Sequence, residues 1–144
     1  MKLTWTKLMS VGNESIDSEH KTLISMVNDI DRAIRVKDAA ALLHAFKLFE
    51  VSIRLHFRNE ANIAEAIDYP FEAHKLEHQY VLNEIQTMKK ELVSNKGKLS
   101  ESSAEHYYGF LSGWTTMHID EDDMRMKEIL DTYPYDFKPP ETPN

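Results

Sequence analysis

Seven histidines and no cysteine stand in a chain of 144 residues. Without thiolates there can be no disulfide framework, zinc ribbon, iron–sulfur cluster or cysteine nucleophile, so any metal must be held by nitrogen and oxygen. Two spacings suit such a site. His56 with Glu60, and His74 with His78, are each four residues apart, which puts both members of a pair on one face of a helix. His118 is followed five positions later by Asp123, and His20 stands alone near the start. Taken singly these are weak signals: an isolated His-x-x-x-His is commonly incidental, and a His near an Asp is commonly an ordinary hydrogen-bonded pair. Their weight comes from the elements that must carry them.

The apolar residues recur at helical spacing, and the seven polar ones fall inside the same series. Ile16, Leu23, Val27, Ile30 and Ile34 make one seam that His20 completes. Leu42, Phe46, Phe49, Ile53, His56, Glu60, Ile63 and Ile67 make a second, after Asp38 as cap. Phe71, His74, His78, Val81, Ile85, Met88 and Leu92 make a third, which Pro70 is expected to open from the first helical position. Tyr107, Leu111, Trp114 and His118 make the fourth, with Ser102 and Glu105 as the expected capping box. Continued at the same spacing, the fourth seam meets Glu121, Arg125 and Glu128, whereas the apolar residues are Met126, Ile129 and Leu130. The register has therefore moved by about one residue, and a local widening of π type near 118–123 would return Asp123 to the seam.

Four such helices joined by short loops predict an all-α, up-down-up-down antiparallel four-helix bundle, a single domain over 1–144. An N-terminal arm anchored by Trp5 and an irregular, Pro-containing tail held by Tyr135 or Phe137 are expected to flank it. Polar groups in core seams cost about 1–3 kcal/mol each when unsatisfied. His20, His56, Glu60, His74, His78, His118 and Asp123 thus read together as a metal site. His44 and His106 each lie twelve residues before a seam His, about 120° off the seam at about 100° per residue. They are expected to be exposed and unligated.

Five imidazoles and two carboxylates exceed the needs of one four-coordinate zinc, while imidazole suits iron and carboxylates can bridge two ions. If Glu60 and Asp123 both bridge together with a solvent oxygen, three His complete one ion at six ligands. Two His then leave the other ion with one open position.

These residues resemble the hemerythrin family, and within it the stand-alone bacterial members called bacteriohemerythrins. The resemblance runs through Trp5, Ile16-Asp17-x-x-His20, His56-Phe57-x-x-Glu60, Tyr69-Pro70, His74-x-x-x-His78 and Trp114-x-x-x-His118-Ile119-x-x-x-Asp123. It implies a non-haem centre of two iron ions (Fe2+/Fe3+) bridged by Glu60, Asp123 and an oxo or hydroxo group, and reversible binding of O2. Matching positions imply His74, His78 and His118 on the saturated iron, with His20 and His56 on the open one. One departure is Glu60-Ala61, where the family commonly has an acidic pair; position 61 is off the seam. Trp114, Ile24 and Met117 are expected to shield the site from water.

A net charge of -7 argues against nucleic acid and anionic membrane surfaces. No apolar run approaches the roughly 18 residues of a membrane span, and no signal peptide is evident, so a cytoplasmic location is expected. Apart from the two bridging carboxylates, the acidic residues read as a solvated surface. An O2 carrier, store or delivery protein is the leading function, not an enzyme, and an oxygen-consuming enzyme is a candidate partner. The alternatives are an O2 or redox sensor acting through a separate partner, and a di-iron oxidase or peroxidase. The latter would be expected to show facing Glu-x-x-His motifs, which are not found.

Overall fold

In the computed structural model, which describes residues 2–140, four helices form the expected bundle. They are α1 (Glu14–Arg35), α2 (Ala39–Ala66), α3 (Glu72–Ser94) and α4 (Glu101–Met117). Beyond α4 the chain continues through a π turn (His118–Asp122) and a 3-10 turn (Asp123–Met126) into a short α5 (Lys127–Leu130). There is no strand among the described residues. Helix α1 packs against α2 and α4, and α2 against α3. None of the helices is long and apolar enough to cross a membrane.

The local causes of these elements are visible in the caps. Asn13 and Asp38 accept hydrogen bonds from Ile16 N and Ala41 N, starting α1 and α2. Helix α4 begins two residues earlier than the expected capping box, because Ser100 accepts from Ser103 N and takes the cap that Ser102 was expected to provide. Several serines in this stretch can cap, and the geometry of the preceding loop selects the first. Pro70 likewise lies outside α3. Phe71 is the cap residue, and its ring stacks on His74 at a centroid distance of 5.1 Å, which draws the helix start inward.

All three inter-helix loops begin in the same way. The residues Lys37, Asp68 and Lys96 adopt φ near +56°, and the amides that follow return to the last helical turn: Asp38 N to Ala33 O, Tyr69 N to Ala64 O, and Gly97 N to Leu92 O. These are Schellman closures built on non-glycine residues. Only after Lys96 does a glycine become necessary: Gly97 has φ +81°, and a Cβ there would lie 2.4 Å from the Ala39 carbonyl oxygen. The α3–α4 loop is therefore pressed against the start of α2.

The core divides into two apolar clusters. The larger contains Leu23, Ile53, Phe57, Val81 and Trp114, and the smaller contains Ile16, Ile63, Met126 and Leu130. Every long helix or its continuation passes from one to the other through its candidate ligands: Ile16 to His20 to Leu23 in α1, and Ile53 to His56 and Glu60 to Ile63 in α2. The seven polar residues form a belt between two dry regions.

The end of the bundle below this belt is closed by a carboxylate that the sequence had left among the surface acids. Asp17 is fully buried and accepts from Ser10 Oγ, from Val11 N at 2.9 Å and from the Tyr135 hydroxyl at 2.9 Å. Asp31 and Glu50 are buried as well, paired with Arg35 and Lys89. The tail is further tied by Glu14 N to Tyr135 O, and by the Asn13 amide donating to Phe137 O. Both expected tail residues thus hold, Tyr135 by hydrogen bonds and Phe137 by packing in the smaller cluster. The N-terminal arm carries a single 3-10 turn, Lys7–Met9. Trp5 is half-buried beneath Lys21, and a reciprocal pair of 2.9 Å hydrogen bonds between Leu3 and Asn28 adds a second anchor.

Burial, reinforced by the Asp17 bond, pushes the Tyr135 phenol up to about 12. A folded value above the ordinary value of about 10 means that this contact stabilises fully below about pH 10 and is lost as pH rises through about 12. Limited proteolysis of the tail should therefore accelerate across that window. In Tyr135→Phe the tail should be released more readily already at neutral pH, with no further step attributable to this contact.

Candidate metal centre

All seven candidate residues are buried: His20, Glu60, His118 and Asp123 fully, His56 nearly so, and His74 and His78 at 5% and 6% exposure. The structure brings them into one belt. Ligand atoms from His20, His56, Glu60, His118 and Asp123 all lie within 4.8 Å of one another. His74 and His78 border this group through the carboxylates, each with its Nε2 3.6 Å from Glu60 Oε1. His44 and His106 are exposed and stand apart from it.

The arrival of Asp123 depends on the interrupted helix. In a regular α-helix Asp122, four residues after His118, would be the better placed carboxylate. Instead the Asp123 amide reaches back five residues to His118 O across the π turn. This swings Asp123 fully into the core, where its Oδ2 lies 2.6 Å from His20 Nε2 and 2.8 Å from His118 Nε2. Asp122 is left only partly buried, with burial raising its carboxyl above the usual range.

The two carboxylates divide the imidazoles between their oxygens. Glu60 turns Oε1 toward His74 and His78, and Oε2 toward His56 at 3.0 Å and His118 at 3.6 Å. Asp123 turns Oδ1 toward His74 at 3.5 Å, and Oδ2 toward His20, His56 and His118. This separates His74 and His78 from the other three, with His118 on the side of His20 and His56. The Nε2 atoms of His56 and His118 are 2.9 Å apart. At most one hydrogen can lie between two such nitrogens, so the pair is held face to face for a proton or a metal ion.

Electrostatics supports the same picture. Burial opposes charge on His56, yet its bonds to Asp123, Glu19 and Glu60 raise it well above 6.5. For His20 burial prevails and lowers it. On Asp123 burial pushes upward, but neighbouring His118, His20 and His56 hold the carboxyl well below its usual range. His74 is raised by Asp123 and Glu60 against the effect of burial.

The donor set fits a metal. Both oxygens of Glu60, Asp123 Oδ1, His74 Nε2 and His78 Nε2 are buried without any hydrogen-bond partner, although the two His nitrogens lie 3.5–3.6 Å from Glu60 Oε1 or Asp123 Oδ1, and Glu60 Oε2 lies 3.0 Å from His56 Nε2. Unmatched buried groups are rare in folded proteins. Here they are lone-pair atoms converging on shared space, an arrangement that a cation of the imidazole- and carboxylate-binding class resolves.

Sequence reasoning missed the groups that hold these rings. Glu19 Oε1 lies 2.7 Å from His56 Nδ1, and Asn59 donates to the other Glu19 oxygen at 2.6 Å. Donation from Nδ1–H to Glu19 leaves the His56 Nε2 lone pair facing the belt. The signal available in the sequence was only adjacency, Glu19 before His20 and Asn59 before Glu60. Aromatic faces cover three further rings: Phe57 stacks on His78 at 3.7 Å, Phe71 on His74 at 5.1 Å and Trp114 on His118 at 4.7 Å. Of the expected shielding residues, Trp114 and Ile24 are buried. Met117 is 48% exposed, because it lies on the outer side of α4 just before the π turn widens the helix.

Two outcomes are expected. After iron loading, Asp123→Ala should lose metal while Asp122→Ala retains it, measured as iron per chain; the reverse would remove the role given to the π turn. Glu19→Gln should weaken metal retention by about 10-fold or more in competition with a chelator, while the fold stays unchanged by circular dichroism.

With this geometry in view, comparisons with known proteins are decisive. The family model of the hemerythrin HHE cation binding domain matches residues 11–130. A bacteriohemerythrin of Pseudomonas aeruginosa is 26% identical over 122 residues, covering 84% of this chain and 76% of that one. The bacteriohemerythrin of Stenotrophomonas maltophilia is 25% identical over the same length. Among solved structures, wild-type hemerythrin superposes with a TM-score of 0.79 at 20% identity, covering 91% of this chain and 99% of the other. The resemblance read from the sequence is borne out: the chain belongs to the hemerythrin family.

Proposed function

We propose that the protein binds O2 reversibly at a non-haem di-iron centre, as carrier, store or delivery protein and not as an enzyme. The observation that carries this reading is the buried belt of five imidazoles and two carboxylates, in which both oxygens of Glu60, Asp123 Oδ1, His74 Nε2 and His78 Nε2 have no hydrogen-bond partner. His20, His56, Glu60, His74, His78, His118 and Asp123 would hold the metal, with Glu60 and Asp123 each offering one oxygen to either side. Two iron ions held there would supply paired redox centres and one open coordination position for O2.

The remaining work falls to the chain itself. Glu19 holds the His56 proton at Nδ1 and so keeps the inward nitrogen free. Phe57, Phe71 and Trp114 lie across His78, His74 and His118 and restrict their rotation. The apolar clusters above and below the belt exclude water and the protons it would carry, which favours release of an unreacted ligand over irreversible oxidation. His118 lies 2.8 Å from Asp123 Oδ2 and 3.6 Å from Glu60 Oε2. Those contacts lie on the side of His20 and His56; the family resemblance, and not these contacts, assigns His118 to the three-His position with His74 and His78.

The test is the visible spectrum of iron-loaded protein cycled between argon and aerated buffer. A band that grows with O2 and disappears under argon over repeated cycles is expected. Irreversible bleaching accompanied by consumption of an added reductant would overturn the carrier reading in favour of an oxidase or peroxidase.

A further inference from the structure

Two buried polar atoms outside the belt have no hydrogen-bond partner among the described residues: Trp5 Nε1 in the N-terminal arm, and the Thr115 hydroxyl, which alone of the two lies on a helix that ends at a belt residue. Thr115 is fully buried on α4, one helical turn before His118, and its hydroxyl has no hydrogen-bond partner. Among the described residues, the other helical threonines satisfy themselves on a preceding carbonyl: Thr22 on Ser18 O, Thr87 on Asn83 O and Thr116 on Ser112 O. That arrangement is the usual refuge of a hydroxyl within a helix, and Thr115 does not use it.

The side of the bundle that Thr115 faces follows from its neighbours. Trp114 Nε1 donates to Glu77 of α3, and its ring meets Phe57 edge-on at 5.8 Å, so position 114 lies on the α3 side of α4. Position 115 is about 100° further round, in line with Leu111 and Ile119, both fully buried. This is the flank that packs against α1, the helix carrying His20. The inward residues on α1 next to His20 toward the larger cluster are Leu23, Ile24 and Val27, all apolar. The hydroxyl is therefore a lone donor in an apolar layer beside the His20 side of the belt.

We infer that Thr115 is a further ligand-contacting residue on that side: its hydroxyl donates a hydrogen bond to a small anion seated beside His20. The inference rests on the di-iron reading above. Thr115 acts on the ligand and not on the metal, because a hydroxyl that retains its proton serves as a donor to a bound acceptor.

The experiment uses azide as probe with wild type, Thr115→Val and Thr115→Ser. Val keeps the shape and removes the donor; Ser keeps the donor. In the oxidised, iron-loaded protein, Thr115→Val should weaken azide binding by about 10-fold in a spectroscopic titration, and Thr115→Ser should stay within about 2-fold of wild type. In the metal-free protein, Thr115→Val should raise the melting temperature by about 2–4 °C, since it removes an unmatched buried hydroxyl. Equal azide affinity in wild type and Thr115→Val would overturn the inference, as would a lower melting temperature for metal-free Thr115→Val, which would reveal a protein partner for the hydroxyl. Failure of wild type to take up iron would instead defeat the di-iron reading and this inference with it, and it is seen before any variant is compared.

Discussion

Acceptor atoms that face one another in a dry interior must share a cation, a proton or a penalty, and this constraint organises the whole chain. Glu60 and Asp123 are fully buried, and three of their four oxygens lack a hydrogen-bond partner while imidazole nitrogens stand 2.6–3.6 Å away. Such an arrangement is costly in the absence of a cation, at about 1–3 kcal/mol for each unmatched group. The apolar clusters on either side must supply the opposing stability. Their division into two is a consequence: each helix is apolar, then polar for one or two turns, then apolar again.

The π turn shows how backbone geometry serves this constraint. A regular helix would deliver Asp122 to His118 and keep Glu121, Arg125 and Glu128 on the inner face. One widened turn reverses both results, placing Asp123 at His20 and His118 and bringing Met126 and Leu130 into the smaller cluster. The irregularity is therefore stabilised from two directions, by polar convergence above it and by apolar burial below. Local departures of this kind are common at functional sites because the sequence around them is chosen for the site and not for the helix.

A second buried carboxylate closes the bundle from beneath. Asp17 is three residues before His20, and it gathers the arm through Ser10 and Val11 and the tail through Tyr135. Segments distant in sequence meet there. Together with Asn13, which caps α1 and also holds Phe137 O, this knot fixes the register at which α1 presents His20. The outer shell works in the same manner, with Glu19 and Asn59 holding His56 and aromatic faces holding the other rings.

Periodicity alone determined the helices, the inward stripe of each, and the seven residues that interrupt those stripes, because a helix of 3.6 residues per turn leaves little freedom about which side chains face a common core. It also located the π turn, since a run of charges cannot continue an apolar seam. It could not select among adjacent serines for the α4 cap, place Pro70 relative to Phe71, or show that Met117 faces outward. Those outcomes depend on loop geometry and on how far one turn is widened. Nor could it distinguish Asp17, Glu19 and Thr115 from ordinary polar residues beside a seam. Their roles arise from partners on other helices, the arm and the tail, or from the lack of one, and such pairings exist only once the chain has packed.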